Sequence, residues 1–377
     1  MGPGSTAEEL LDLAHSMARR SGYPEAARLK ELANAAIDSL KTESLKLRPP
    51  SSIGEPGGLV RVETPFAIVV PDLHARSSLL ADLLASTPPP SSSFSPDVRV
   101  IDLVLDGGLT IVCLGDILNS EGRIGAERWH GAALRLIESP RPKSLLSEEM
   151  DEEMGASIGA LGLVMALKAR LGQSFHCLKG NHDNITNSSM NGDSAFYKFA
   201  MEGAMGAEWF RLRYGEKLAK VLRRYERLLP LVAVGRTFCA SHAEPAFPVG
   251  AADLLEYRAR ADIVSALIWT GNDQAESGAV RKSLAALLGF SDREEGGTWI
   301  SGHRPVEGYF AARDGGRLIQ IHNPERQQVA WIDDRPGDKP GEVAGRITLH
   351  EIRKGGGAMR LLAAVPAFRL DHPMPRD

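Results

Sequence analysis

"CLKGNHDNIT", residues 177–186, follows directly on Phe175-His176. It leaves an apolar lead-in, turns polar at Lys179-Gly180 and reaches Asn181-His182-Asp183. Three side chains able to hold a metal or move a proton therefore sit where a strand candidate passes into a loop. Alone, the tripeptide is ambiguous. Asn and Asp favour turns because their side chains hydrogen-bond the adjacent backbone, and a single His is as compatible with a packed core as with a ligand set. Loops carry function disproportionately, so the test is whether other strands end in the same way.

They do. Four further apolar runs close on metal-compatible groups: "FAIVVPDLHA" (66–75) with Asp72 and His74, "LTIVCLGDILN" (109–119) with Asp116, "TFCASHAE" (237–244) with His242, and "TWISGHRP" (298–305) with His303. Ligand sites of open α/β sheets gather at the carboxyl ends of strands. Each exit alone is a turn or a packed histidine; all five together point to one site. Asp72-x-His74 on an extended segment puts both side chains on one side, because strand side chains alternate with period two. The donors are Asp, His and Asn, without thiolate, which suits Mn, Fe, Zn, Co or Ni. Asp116 could bridge two such cations, and two cations ~3.5–4 Å apart can generate a hydroxide and clamp a phosphoryl group.

The 377-residue chain is 43% hydrophobic and 24% charged, with net charge −4, an ordinary globular balance. No basic excess points to nucleic acid or an anionic membrane, and no apolar run approaches the ~20 residues of a membrane span. Cys113, Cys177 and Cys239 end apolar runs; their odd number and lack of framework spacing predict buried free thiols and not a disulfide scaffold. The amino terminus lacks a basic-then-apolar leader, so a cytoplasmic protein is expected.

Residues 1–58 read as a helical hairpin plus linker, with 1–5 resembling a cloning remnant; Thr6 and Glu9 form a capping-box pattern, and "RPPSSIGEPGG" (48–58) is Pro/Gly-rich. The hairpin reads as an added packing element or a homodimer face. Residues 59–355 form the main domain, and 356–377 a tail with no assigned element. "VRVIDLVLDGGLTIVC" (98–113) predicts two strands joined through "DGG", and "LPLVAVGRTFCAS" (229–241) a hairpin through "GR". Strands alternate with helices early and hairpins dominate late, so the predicted fold is an α/β (α+β) sandwich of mixed sheets flanked by helices. The acidic run 148–154 and the basic residues of 209–228, interleaved with acids, read as solvated helix faces.

The ordered set DxH, GD, GNHD, a lone His after a hairpin, and GH resembles the calcineurin-like metallophosphoesterases over about residues 64–335. "ALIWTGND" (266–273) and "SGHRPVEGYFAARDGGRLIQIHNP" (301–324) look like the phosphoprotein phosphatase branch. The resemblance implies a dinuclear centre: Asp72, His74 and Asp116 on one divalent ion, and Asp116, Asn181, His242 and His303 on the other, manganese first in order. It implies attack by a bridging hydroxide, with His182 at the leaving oxygen. The implied substrate is a phosphorylated protein or small phosphoester.

The sequence departs from that pattern in "GDILNSEGR" (115–123). Asn119 stands where an Asp orienting the catalytic His is expected, and Ser120 where a phosphate-gripping Arg is expected. Asn cannot supply the charge that raises a histidine's pKa. Asp183 or Glu121 is therefore the candidate partner of His182, and Arg123, Arg128 and Arg304 are the candidate phosphate contacts. Glu244, in "SHAE", brings an acid toward the same region. Two other readings share these residues: a nucleotide or dinucleoside-polyphosphate hydrolase, and a non-catalytic scaffold.

Overall fold

The computed structural model describes residues 3–19, 22–92, 94–289, 296–336 and 346–366. Two six-stranded mixed sheets stack face to face, with helices outside each. In the first sheet, Phe66–Val70, Leu109–Cys113 and Phe175–Cys177 are adjacent and parallel. Gln328–Asp333, Arg346–Glu351 and Arg360–Ala364 extend it antiparallel. In the second, Phe238–Ser241, Thr298–Ser301 and Leu318–Gln320 form another parallel triplet. Val232–Val234, Leu59–Arg61 and Ala311–Arg313 flank it.

Strand periodicity explains the layering. Ala67 and Val69 face the second sheet, where they meet Ala233, Phe238, Ala240, Ile300 and Ile319. Phe66, Ile68 and Val70 point the other way, into the larger helical layer. Trp299, Cys239 and Leu318 point outward on the far side, against helices Ala261–Ile268 and Ala279–Leu288. Strands covered on both faces read as continuous apolar runs, which is why "FAIVV" and "LTIVC" show no alternation.

The hairpin helices Pro3–Arg19 and Ala26–Lys41 bury Leu10, Leu11, Ala14, Leu29, Ile37 and Leu40 in the same cluster as the first sheet. The first of them begins at Pro3, ahead of the expected cap at Thr6. Beyond the hairpin, the Pro/Gly-rich stretch 48–58 is pinned by buried Arg48, which ion-pairs with Glu43 at 2.9 Å and donates to the Gly57 carbonyl at 2.9 Å.

Three local readings change. Val100–Leu105, expected as a strand, is a short helix. The Asp102 carboxylate accepts the Arg99 amide at 3.1 Å, and Val100, Ile101, Leu103 and Val104 are buried as a helical stripe; β-branched composition misled where capping and period decided. Arg360–Ala364 adds an edge strand inside the segment read as a tail. Glu153, read as solvated, is buried. Its helix, Glu148–Leu171, is the one described helix long and apolar enough by composition to cross a membrane, and 78% of that window is buried within the protein. The three cysteines are free and buried, as expected.

Candidate metal centre

The two parallel triplets end at one pole. Asp72, Asp116 and Asn181-His182 follow the three parallel strands of the first sheet, and His242, His303 and His322 follow those of the second. The backbone is bent to deliver them: His74, Asp116, Asn119 and His303 have φ of 41°, 46°, 66° and 64°, a region non-glycine residues enter at a cost of order 1–3 kcal/mol and in which functional sites are enriched. Glycines permit the closest approaches. A Cβ on Gly302 would lie 1.8 Å from Asp72 Oδ1, and one on Gly180 would lie 2.2 Å from Asp116 Oδ1. Asp183 fastens the turn: its carboxylate accepts the amides of Gly180, Asp116 and Ile117 at 2.8, 3.0 and 2.9 Å.

At the centre, acceptors meet acceptors. His74 Nδ1 donates to the Asn119 carbonyl at 2.8 Å, so its Nε2 carries a lone pair, which faces Asp116 Oδ2 and Glu121 Oε2 at 3.6 Å each. His242 Nδ1 donates to the Leu114 carbonyl at 3.1 Å. Its Nε2 lies 2.9 Å from Asn181 Oδ1, 3.2 Å from His303 Nδ1 and 3.5 Å from Asp116 Oδ2. Asp72 Oδ1, His303 Nε2 and His322 Nδ1 are enclosed with no hydrogen-bond partner. Fixing one ring nitrogen on a carbonyl frees the other for a cation, the usual arrangement of metal-bound histidine.

Burial sets the electrostatics. It pushes the Asp72 and Asp116 carboxyls well above the usual carboxylate range, reinforced by Glu121 at the first and by Asp72 and Asp183 at the second. It pushes His303 down to about 3 and His322 to about 4, and lowers His74, His182 and His242 as well. Divalent cations reverse the carboxylate penalty and require neutral imidazole. The groups Asp72/His74/His322, His74/Asp116/His182 and Asp72/Asp116/His242 each bring their ligand atoms within 4.8 Å of one another. The donor set fits divalent metal.

No family model and no curated protein matches the sequence. Among solved structures, the chain is similar over 93% of its length, and over 92% of the other chain, to a protein serine/threonine phosphatase from Saccharomyces cerevisiae with similarity to human phosphatase PP5, at TM-score 0.51 and 12% identity. The chain has the fold of that phosphatase. A cold-active protein tyrosine phosphatase is more distant, at TM-score 0.40 and 10% identity over 81% of this chain and 80% of the other.

On this fold the expected residues divide into two sets. Asp72, His74, Asp116, Asn181, His242 and His303 converge, and His182 borders them, its Nε2 4.0 Å from Asp116 Oδ2 and its ring against Phe196 with centroids 4.2 Å apart. Asp183 does not meet His182; its oxygens are spent on backbone amides. Asn119 serves through its backbone carbonyl, on His74, while its side-chain Nδ2 is buried without a partner. Arg123 lies on the surface with 86% of its side chain exposed. Arg128 is held by Glu152 and Glu153 at 3.3 and 3.6 Å. Arg304 is exposed next to His303, whose pKa its charge helps to lower. Glu244 is buried and faces Arg313 at 3.9 Å.

Two residues at the pole had no assigned ligand role. His322, in "IHN" immediately after an apolar strand, obeys the rule that found the other five exits, and applying it once more would have found it. Its Nε2 meets Glu121 Oε2 at 2.8 Å. Glu121, weighed only as a partner for His182, lies between His74, His322 and Lys198, which outweigh its burial and hold its carboxyl below the usual range. No local signal marks it, because its neighbours come from three distant segments.

Proposed function

We propose that the protein is a phosphomonoesterase of the phosphoprotein phosphatase type, working with two divalent cations. The observation that carries this reading is the set of buried lone pairs and carboxylates that converge on Asp116 from both sheets, with Asp72 Oδ1, His303 Nε2 and His322 Nδ1 left without a partner and no cationic side chain among them. The shared phosphatase fold supports it. Asp72, His74 and Asp116, joined by His322, would hold one cation. Asp116, Asn181, His242 and His303 would hold the other, with manganese the first candidate. Bound there, the pair would supply Lewis-acid charge and an activated water.

The remaining chemistry belongs to the chain. His182 stands over the rim of the pole with its Nδ1 unpartnered, and we assign it to the leaving oxygen. Burial holds its pKa below the ordinary value, so it acts by donating a hydrogen bond from the uncharged ring; the carboxylate that would raise its pKa and keep it protonated is replaced by Asn119, whose carbonyl already serves His74. Phosphate contact falls to Lys198, anchored on Glu121 with a half-exposed side chain, and to Arg304. Hydrolysis of p-nitrophenyl phosphate with and without Mn²⁺, beside Asp116→Asn, tests the proposal: metal-dependent turnover lost in the variant is expected, and an inert, metal-loaded wild type sinks it. A phosphopeptide outcompeted as substrate by a dinucleoside polyphosphate would move the assignment to nucleotide hydrolysis, and failure to take up metal would move it to a scaffold.

A further inference from the structure

We infer that a second, basic cavity, sharing no residue with the metal pole, binds a small multiply charged anion of the di- or triphosphate class. The cavity, about 360 Å³, is lined by Lys41, Lys220, Arg223, Arg224, Arg227 and Arg258 against the single carboxylate of Glu55. Positions 220, 223, 224 and 227 are spaced i, i+3, i+4, i+7, one face of helix Glu216–Glu226 and its cap. The acids that break up this run in the sequence are sorted away from that face: Glu226 is buried, and neither it nor Glu216 lines the cavity. A concavity with six cations against one carboxylate in a chain of net charge −4 does not reflect general basicity.

The cations outnumber their counter-charge six to one. Among the described residues none of the six takes part in an ion pair. Arg258 is held in place, its Nε donating to the Arg227 carbonyl at 3.3 Å and its guanidinium 5.0 Å from the Tyr257 ring centroid. Its Nη2 is enclosed with no acceptor. Like charges gathered at this density repel, and guanidinium forks are matched by phosphate oxygens in bidentate pairs. The volume sits at the small end of the ~300–1,000 Å³ typical of small-molecule sites, and four guanidinium groups favour several phosphate groups over one.

The cavity is tied to the metal pole through one loop. Arg223 Nη1, from the cavity wall, donates to Thr186 Oγ1 at 3.2 Å. One turn on, Glu226 Oε1 accepts the Ile185 amide at 2.8 Å. Ile185 and Thr186 follow Asn181-His182-Asp183 in the chain, so an anion that draws on Arg223 acts on the loop that carries a ligand and the leaving-group histidine.

Tripolyphosphate titrated calorimetrically into the full chain, with chelator present and at two salt concentrations, tests the site. One salt-weakened site is expected in wild type. A Lys220→Glu/Arg224→Glu variant, altered at exposed positions, should lose at least about tenfold in affinity, and His303→Ala should keep wild-type affinity. Hydrogen exchange at amides 185–188 should slow on binding in wild type and not in the double variant. Equal binding by wild type and the double variant, or loss of binding in His303→Ala, overturns the site; unchanged exchange in the loop overturns the coupling. Neither readout needs turnover, so an inert enzyme leaves this result intact.

Discussion

Two buried clusters of charge can be compared in this molecule. Around Glu43 both carboxylate oxygens are answered by cations. Arg48 lies 2.9 Å from its Oε2, Lys168 bonds its Oε1, and His176 Nδ1 stands 3.3 Å away. Lys168 also donates to the carbonyls of Gly172 and Phe175 at 2.8 and 3.0 Å. Burial raises the Glu43 carboxyl, but His176, Lys168 and Arg48 outweigh it and hold it well below the usual range. Around Asp116 the balance is opposite: carboxylates and imidazole lone pairs face one another, and the acids are pushed up. The difference teaches how to sort buried charge. Where the chain supplies its own counter-charge, the cluster is a fastening, here between the 43–48 segment, helix Glu148–Leu171 and strand Phe175–Cys177. Where it leaves buried carboxylates and lone pairs without a cationic side chain among them, the cluster is built for a cation.

The largest expected effects separate the two. Asp116→Asn should reduce metal-dependent phosphatase turnover to background, and should remove the Mn²⁺-induced rise in thermal stability, which in wild type amounts to about 4 kcal/mol at a thousandfold excess over Kd; calorimetry with and without chelator reads both. Wild-type turnover in this variant would dissolve the distinction. Glu43→Ala leaves Arg48 and Lys168 buried without their anion, and should cost about 3–5 kcal/mol of stability in urea melts while the protein that remains folded binds metal with wild-type stoichiometry. Loss of metal binding at full stability would reverse the assignments.

His182→Ala should lower kcat about 10²–10⁴-fold with metal content unchanged, placing the residue at the chemistry and not in the ligand set. Smaller again is a pH effect confined to the fastening. Glu43 is depressed in the folded state, so its contribution is present above its unfolded pKa of 4.5 and is lost as pH falls below that value. Glu43→Gln should flatten the stability profile in that acidic window, and an unchanged slope would show that other carboxylates govern acid unfolding. Smallest is Arg123→Ala, expected within about 0.5 kcal/mol in stability and without effect on kcat/KM.

Sequence by itself determined the strand exits. An apolar run that stops at Asp, Asn or His is a local statement: β-branched residues pack between layers, and the first polar residue marks where the layer ends. That rule reached Asp72, His74, Asp116, Asn181, His242 and His303, and it contained His322. The same local logic located the amino-terminal helical hairpin and the β-hairpin through Gly235-Arg236. It failed at Val100–Leu105, where composition spoke for strand and capping for helix. Tertiary structure alone decided which charges meet. Asn119 turned out to orient His74 through its backbone, Asp183 to bind three amides, and Glu121 to join His74, His322 and Lys198. Of the arginines next to the GD motif, Arg123 is exposed and Arg128 is held by Glu152 and Glu153, and basic residues that look diluted by acids along the chain form one face of a helix. The physical reason is common to all of these. Burial and period are written in neighbouring residues, whereas compensation of charge is settled between segments that only the packed sheets bring within a few ångströms.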